Sequence, residues 1–144
     1  MIRIVAFSAL AFLAIAPEAL AASDNPAIGR WFTEGDEGGL HAQFVWDIRS
    51  DGTFAKDIRT IADCKVQKRW SETGKWTYDN SLLTSFTDVV DQQPVKPAPY
   101  IDKFVVTPVD ATHATYFDSG TEITWSMSIA GKDFAFPIPK GCEV

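Results

Sequence analysis

An apolar–polar alternation of period two, interrupted by a turn signal every ~10 residues, constrains this chain more than any other feature. Phe44, Trp46 and Ile48 alternate with Val45, Asp47 and Arg49, and Ser50-Asp51-Gly52 then supplies a hairpin turn. Thr53 to Ile61 resumes the extended pattern, with Phe54 and Ile58 on one face. Val66, Lys68 and Trp70 alternate ahead of Gly74, after which Trp76 and Tyr78 share a face up to the turn Asp79-Asn80-Ser81. Leu82 to Val90, rich in Thr, Phe and Val, reads as strand. Tyr100 to Thr107, Thr112 to Phe117 and Thr121 to Ala130 follow. In the last, Ile123, Trp125, Met127 and Ile129 oppose Thr124, Ser126 and Ser128. No stretch from residue 22 on carries a 3.6-residue apolar period over helical length. The chain is therefore all-β.

Evenly spaced strands joined by short local hairpins favour an eight-stranded antiparallel up-and-down barrel, which leaves no open edge. A sandwich needs long cross-sheet connections, and only the proline-rich Pro94 to Pro99 has the character of one; it reads as an extended surface segment. Residues 22–28 read as a loose lead-in. The tail Phe134-Ala135-Phe136-Pro137-Ile138-Pro139 is apolar but broken by proline, and is expected to pack against the barrel wall.

The N-terminus carries an address. Arg3 is followed by a nearly unbroken apolar run from Ile4 to Ala16, then Pro17-Glu18 and the small-x-small triplet Ala19-Leu20-Ala21. This is the anatomy of a secretory signal peptide over residues 1–21. The run of ~13 residues is short of the ~20 that a bilayer requires. No cysteine follows the run to accept lipid, so no membrane anchor is expected. Residues 22–144 form one domain, periplasmic or secreted. The net charge of −6 offers no electrostatic footprint for nucleic acid or an anionic membrane. Ten Phe and five Trp are ample for a packed core. The two cysteines, Cys64 and Cys142, form an even pair in an exported chain and read as a disulfide pinning the tail.

Three short motifs then stand in order: Gly29-Arg30-Trp31 at the head of the first strand, Asp51-Gly52-Thr53-Phe54 at a hairpin, and Gly74-Lys75-Trp76 opening a later strand. From Gly29 to about Ile129 the chain resembles the lipocalin-like domains of small bacterial exported proteins, within the calycin group. The resemblance implies an eight-stranded barrel with an internal apolar cavity for a small hydrophobic ligand, and gives Trp31 the task of plugging the closed end. The chain departs from the pattern where Thr87-Asp88-Val89 stands in place of T-D-Y. No arginine follows the final strand to stack on Trp31; Lys132 and Lys140 are the nearest cations.

Candidate chemistry is sparse. Glu34, Asp36 and Glu37 precede Gly38-Gly39, but their spacing matches no established calcium loop and reads as a solvated loop after the first strand. His41 and His113 are isolated, and Asp118-Ser119-Gly120 is a hairpin turn, not a nucleophile elbow. No catalytic residue, metal ligand or cofactor is expected. A catalytic reading needs Asp47, Asp57 or His41 to converge near Lys68. If a ligand cavity exists, Phe44, Trp46, Phe54, Trp70, Phe86, Phe104 and Trp125 are expected to line it. Lys56 and Lys68, on otherwise apolar faces, stand either to meet an anionic head group or to snorkel at a rim. The function expected is non-enzymatic binding of a small hydrophobic or amphipathic molecule. The alternative is a protein-binding module, such as a periplasmic protease inhibitor that presents the Asn25-Pro26 lead-in to its target.

Overall fold

The computed structural model describes residues 25–142. Nine strands follow one another without a helix: β1 Gly29–Glu37, β2 Leu40–Ile48, β3 Thr53–Ala62, β4 Lys65–Asp79, β5 Leu82–Val90, β6 Gln93–Pro94, β7 Tyr100–Pro108, β8 His113–Asp118 and β9 Ile123–Ile129. All pairings are antiparallel, in the order β4-β3-β2-β1-β9-β8-β7-β5-β6, and a further β4–β5 pairing closes the sheet. The result is an eight-stranded up-and-down barrel, with β6 as a two-residue appendage on Val89–Val90. The proline-rich connection runs exposed along the surface beyond it.

Turn chemistry sets the strand lengths. Gly38 and Gly39 both take positive φ (60° and 82°), the conformation of a two-residue hairpin whose twist matches its strands. β1 therefore runs straight through Glu34, Asp36 and Glu37 to the turn, and these carboxylates are strand residues, not the loop their composition suggested. Gly74 differs from expectation in the other direction. It opens no strand but lies within the 15-residue β4, at a register shift between Thr73 and Gly74. A Cβ on Gly74 would strike the carbonyl oxygen of Phe86 on β5. Glycine is needed here because two backbones approach closely.

β4 is also longer than its neighbour. Its pairing with β5 begins at Glu72, so Lys65–Trp70 pairs with β3 alone and the β3–β4 hairpin overhangs the rim.

Inward-facing side chains fill one end of the barrel. Trp46, Phe54, Leu83, Tyr116 and Met127 are each at most 1% exposed, and Trp46 packs edge-on to Phe104 (5.0 Å between centroids), Phe54 (5.9 Å) and Tyr116 (5.9 Å). Burying each such side chain contributes roughly 1.5–3 kcal/mol. Trp31 closes this end beside Tyr116, and its Nε1 donates to the carbonyl of Ala27 at 3.0 Å. Ala27 is fully buried, so residues 25–28 are part of the plug and not a loose lead-in, while residues 22–24 lie outside the described residues.

The tail crosses the outside of the barrel as a strap. Phe134 stacks on Phe32 of β1 (4.8 Å), and the guanidinium of Arg59 on β3 lies 4.7 Å from the Phe136 ring. The Pro137 carbonyl accepts from Arg59 Nη2 at 2.7 Å and Gln43 Nε2 at 3.2 Å. Cys142 is bonded to Cys64 at the tip of the overhanging hairpin. Such bridges form and persist in oxidising surroundings, which suggests a setting outside the reducing cytosol. The signal peptide expected over residues 1–21 lies outside the described residues.

Candidate functional site: a charged aromatic cleft at the barrel mouth

The turns 38–39, 63–64 and 119–122 ring the end opposite the Trp31 plug. Here the packed core gives way to a cleft of about 230 Å³. Its walls are Phe44 from β2, Ile58 from β3, Trp70 from β4, Phe104 from β7 and Trp125 from β9. Phe44 meets Trp125 edge-on at 5.1 Å, and Trp125 lies against Gly35, where a Cβ would stand 3.1 Å from the ring. The absence of a side chain at Gly35 gives the indole its place.

Charged groups enter the same space because they share the inward parity of these rings. Lys56 follows Phe54 and precedes Ile58 on the inner face of β3, and its register partners are Trp46 and Glu72. Its ammonium lies 3.4 Å from Glu72 Oε2 and over the Trp46 ring at 4.5 Å, with Phe44 at 5.7 Å and Phe104 at 6.0 Å. Both side chains are withdrawn from solvent, 11% and 17% exposed. Trp70 Nε1 donates to Glu72 Oε1 at 2.9 Å and so fixes the carboxylate from its other side. Asp102 on β7 and Asp118 at the end of β8 complete the polar lining, with Glu37 and Thr121 at the rim. Burial pushes the Asp102 carboxyl above the ordinary aspartate value; Lys56 opposes this, while Glu72 and Asp118 add to it. Asp118 Oδ1 accepts the turn amides of Gly120 (2.8 Å) and Thr121 (3.3 Å).

Of the seven aromatics expected to line a cavity, Phe44, Trp70, Phe104 and Trp125 line this cleft. Trp46 forms part of the packed core beneath Lys56, and Phe54 lies deeper among the fully buried residues. Phe86 is turned outward, because the inward positions of β5 are Leu83, Ser85 and Thr87. The cleft is therefore smaller and more polar than an apolar cavity lined by all seven.

The other candidates disperse. Glu34 and Asp36 sit on the outer face and clasp His41, at 3.3 Å to Nε2 and 3.1 Å to Nδ1, while Glu37 is at the mouth. Asp47 pairs with Arg49 at 3.0 Å, and Asp57 and Lys68 are exposed. His113 is held by Asp110 at 3.1 Å. Lys68 also lies over an indole, its ammonium 4.9 Å from the Trp70 ring, but it is exposed where Lys56 is withdrawn from solvent and paired with Glu72. Among the described residues no three His, Cys, Asp or Glu side chains converge as metal ligands, and no helix is long and apolar enough to cross a membrane. A wider groove of about 460 Å³ runs outside the barrel beside Cys64–Cys142, but its paired polar groups, Asp36 and His41, already satisfy each other.

The protein is thus an eight-stranded antiparallel barrel, plugged at one end and open at the other, an architecture consistent with a lipocalin-like fold. A scan against protein-family profiles and a search of curated proteins found no match to this chain.

Proposed function

We propose that this is an exported, lipocalin-like carrier that binds a small amphipathic molecule in the mouth cleft, without catalysis. The observation that carries the reading is the joint presence of aromatic walls and half-buried charges in one concave site. Ligand sites are mostly apolar with a few convergent polar groups. The volume of about 230 Å³ suits a ligand below the size of a typical drug. The signal sequence over residues 1–21 and the Cys64–Cys142 bridge support export to the periplasm or beyond.

Native mass spectrometry of protein purified without denaturation from its own host tests the reading. A copurifying small molecule, lost in Trp70→Ala, is the expected result. A bare apoprotein mass, with no change in tryptophan fluorescence across a library of small amphipaths, overturns it.

One observation favours a second reading, a protein-binding module. Leu82, Val105 and Phe117 form an exposed apolar row across β5, β7 and β8. The N-terminal segment does not favour it, since Ala27 is buried in the plug. Affinity capture that fails after Val105→Lys but survives Trp70→Ala would select this second reading.

A further inference from the structure

We propose that the ligand group bound in the mouth cleft is a cation, the protonated amine of a small molecule with an apolar body. This rests on the reading of the cleft as a binding site and names the chemistry it selects.

The charge balance is the first argument. Glu72, Asp102 and Asp118 line the cleft against a single cation, Lys56. That lysine is already matched, by Glu72 at 3.4 Å and by the rings above which it lies. It has no unmet charge to offer an anionic head group, and an incoming carboxylate would face Asp102 and Asp118. An incoming ammonium would meet them as partners.

The walls give the second argument. Aromatic faces attract cations through their quadrupole, more strongly where water is excluded. The molecule already shows this preference inside its own barrel, because the Lys56 ammonium sits within 6.0 Å of three ring centroids. Trp70 and Trp125 offer further indole surface on the cleft walls.

An unmet hydrogen-bonding group stands beside the lining residue Asp102. Ser85 is fully buried on the inner face of β5, directly opposite Asp102 in the β5–β7 register, and its Oγ has no partner among the described residues. Buried polar atoms are ordinarily satisfied, and each exception calls for a reason. An ammonium carries three donors. Asp102 lines the cleft and presents acceptors for them, with the Ser85 hydroxyl on the adjacent strand, outside that lining.

The test uses three probes with one phenyl body: 2-phenylethylamine, 2-phenylethanol and 3-phenylpropionate. Titrations of the disulfide-bonded mature protein are followed by calorimetry and tryptophan fluorescence. The amine is expected to bind at least tenfold more tightly than the alcohol, and the carboxylate most weakly. Asp102→Asn should weaken the amine about tenfold, the loss of one charge-assisted hydrogen bond, while leaving the alcohol unchanged. Its melting temperature should equal or exceed that of the parent, which separates lost recognition from lost folding. If the alcohol or the carboxylate binds as tightly as the amine, or Asp102→Asn leaves the amine unaffected, the cation assignment is overturned and the cleft stands. If none of the three binds, both fall. The comparison of probes on the unsubstituted protein decides the matter even where a variant does not fold.

Discussion

Replacing both cysteines, Cys64→Ala with Cys142→Ala, is the perturbation whose cost can be worked most directly from this structure. The bridge spans a sequence separation of 78 residues. In the chain-entropy account, opening a loop of that length returns ~4.5 kcal/mol of freedom to the unfolded chain at 25 °C. The folded state should change little, since the strap keeps its own attachments, Phe134 on Phe32 and the Pro137 carbonyl on Arg59. Equilibrium urea unfolding under non-reducing conditions, followed by tryptophan fluorescence and circular dichroism, measures the difference. With a slope of roughly 1.5 kcal/mol/M, the midpoint should fall by ~3 M, and the slope itself should rise because the uncrosslinked chain exposes more surface. Amide exchange supplies a local check. The Cys142 amide, bonded to Pro139 O at 3.0 Å, and the Phe134 amide, bonded to Gly131 O at 3.1 Å, should exchange faster in the variant while the β2–β3 ladder stays protected. A loss below ~1 kcal/mol would refute the reasoning, because it would mean that the unfolded chain gains little from release of the crosslink.

Two further perturbations probe backbone and charge. Gly74→Ala forces a methyl against the Phe86 carbonyl, and should destabilise by about 2–3 kcal/mol, a drop in melting temperature near 10 °C; an unchanged melting curve would show that the bulge can relax. Asp110 accepts from the Thr112 amide at 2.6 Å and its hydroxyl at 2.8 Å, which with His113 holds its carboxyl at about 2 against an ordinary 3.8. A carboxyl lowered on folding stabilises above its unfolded value, and that contribution disappears as pH falls through about 2. An NMR titration of the Asp110 carboxyl with a midpoint near 3.8 would contradict this.

Much of the barrel was legible because most strands contrast one face with the other. β9, with Ile123, Trp125 and Met127 opposing threonine and serine, declares its parity, and so does β2. β5 does not. Its inner face carries Leu83, Ser85 and Thr87, and its outer face Leu82, Thr84 and Phe86, so neither composition marks the core. Composition alone does not tell that the Phe86 ring faces outward. A glycine demanded by a neighbouring backbone, as Gly74 is, looks in sequence like one demanded by a turn. Lys56 was visible as a cation on an apolar face, but its meaning was not. Glu72, Asp102 and Asp118 join it only through the registers of β3 with β4, β5 with β7, and β7 with β8, which depend on partners far along the chain. The role of Ala27 rests on carbonyl geometry that no side-chain pattern encodes.

The overhang of the β3–β4 hairpin has a colloidal consequence. Among the described strands none pairs with the outer edge of Lys65–Trp70, so this hairpin exposes a short row of unpaired amides and carbonyls. Such an edge is a template for pairing with another molecule. Here it carries Lys65, Lys68 and Arg69 within six residues, so two copies approaching edge to edge would bring like charges together. A bond from Cys142 tethers the hairpin at its tip, and the cations along its flank keep each barrel from recruiting the next into a continuous sheet.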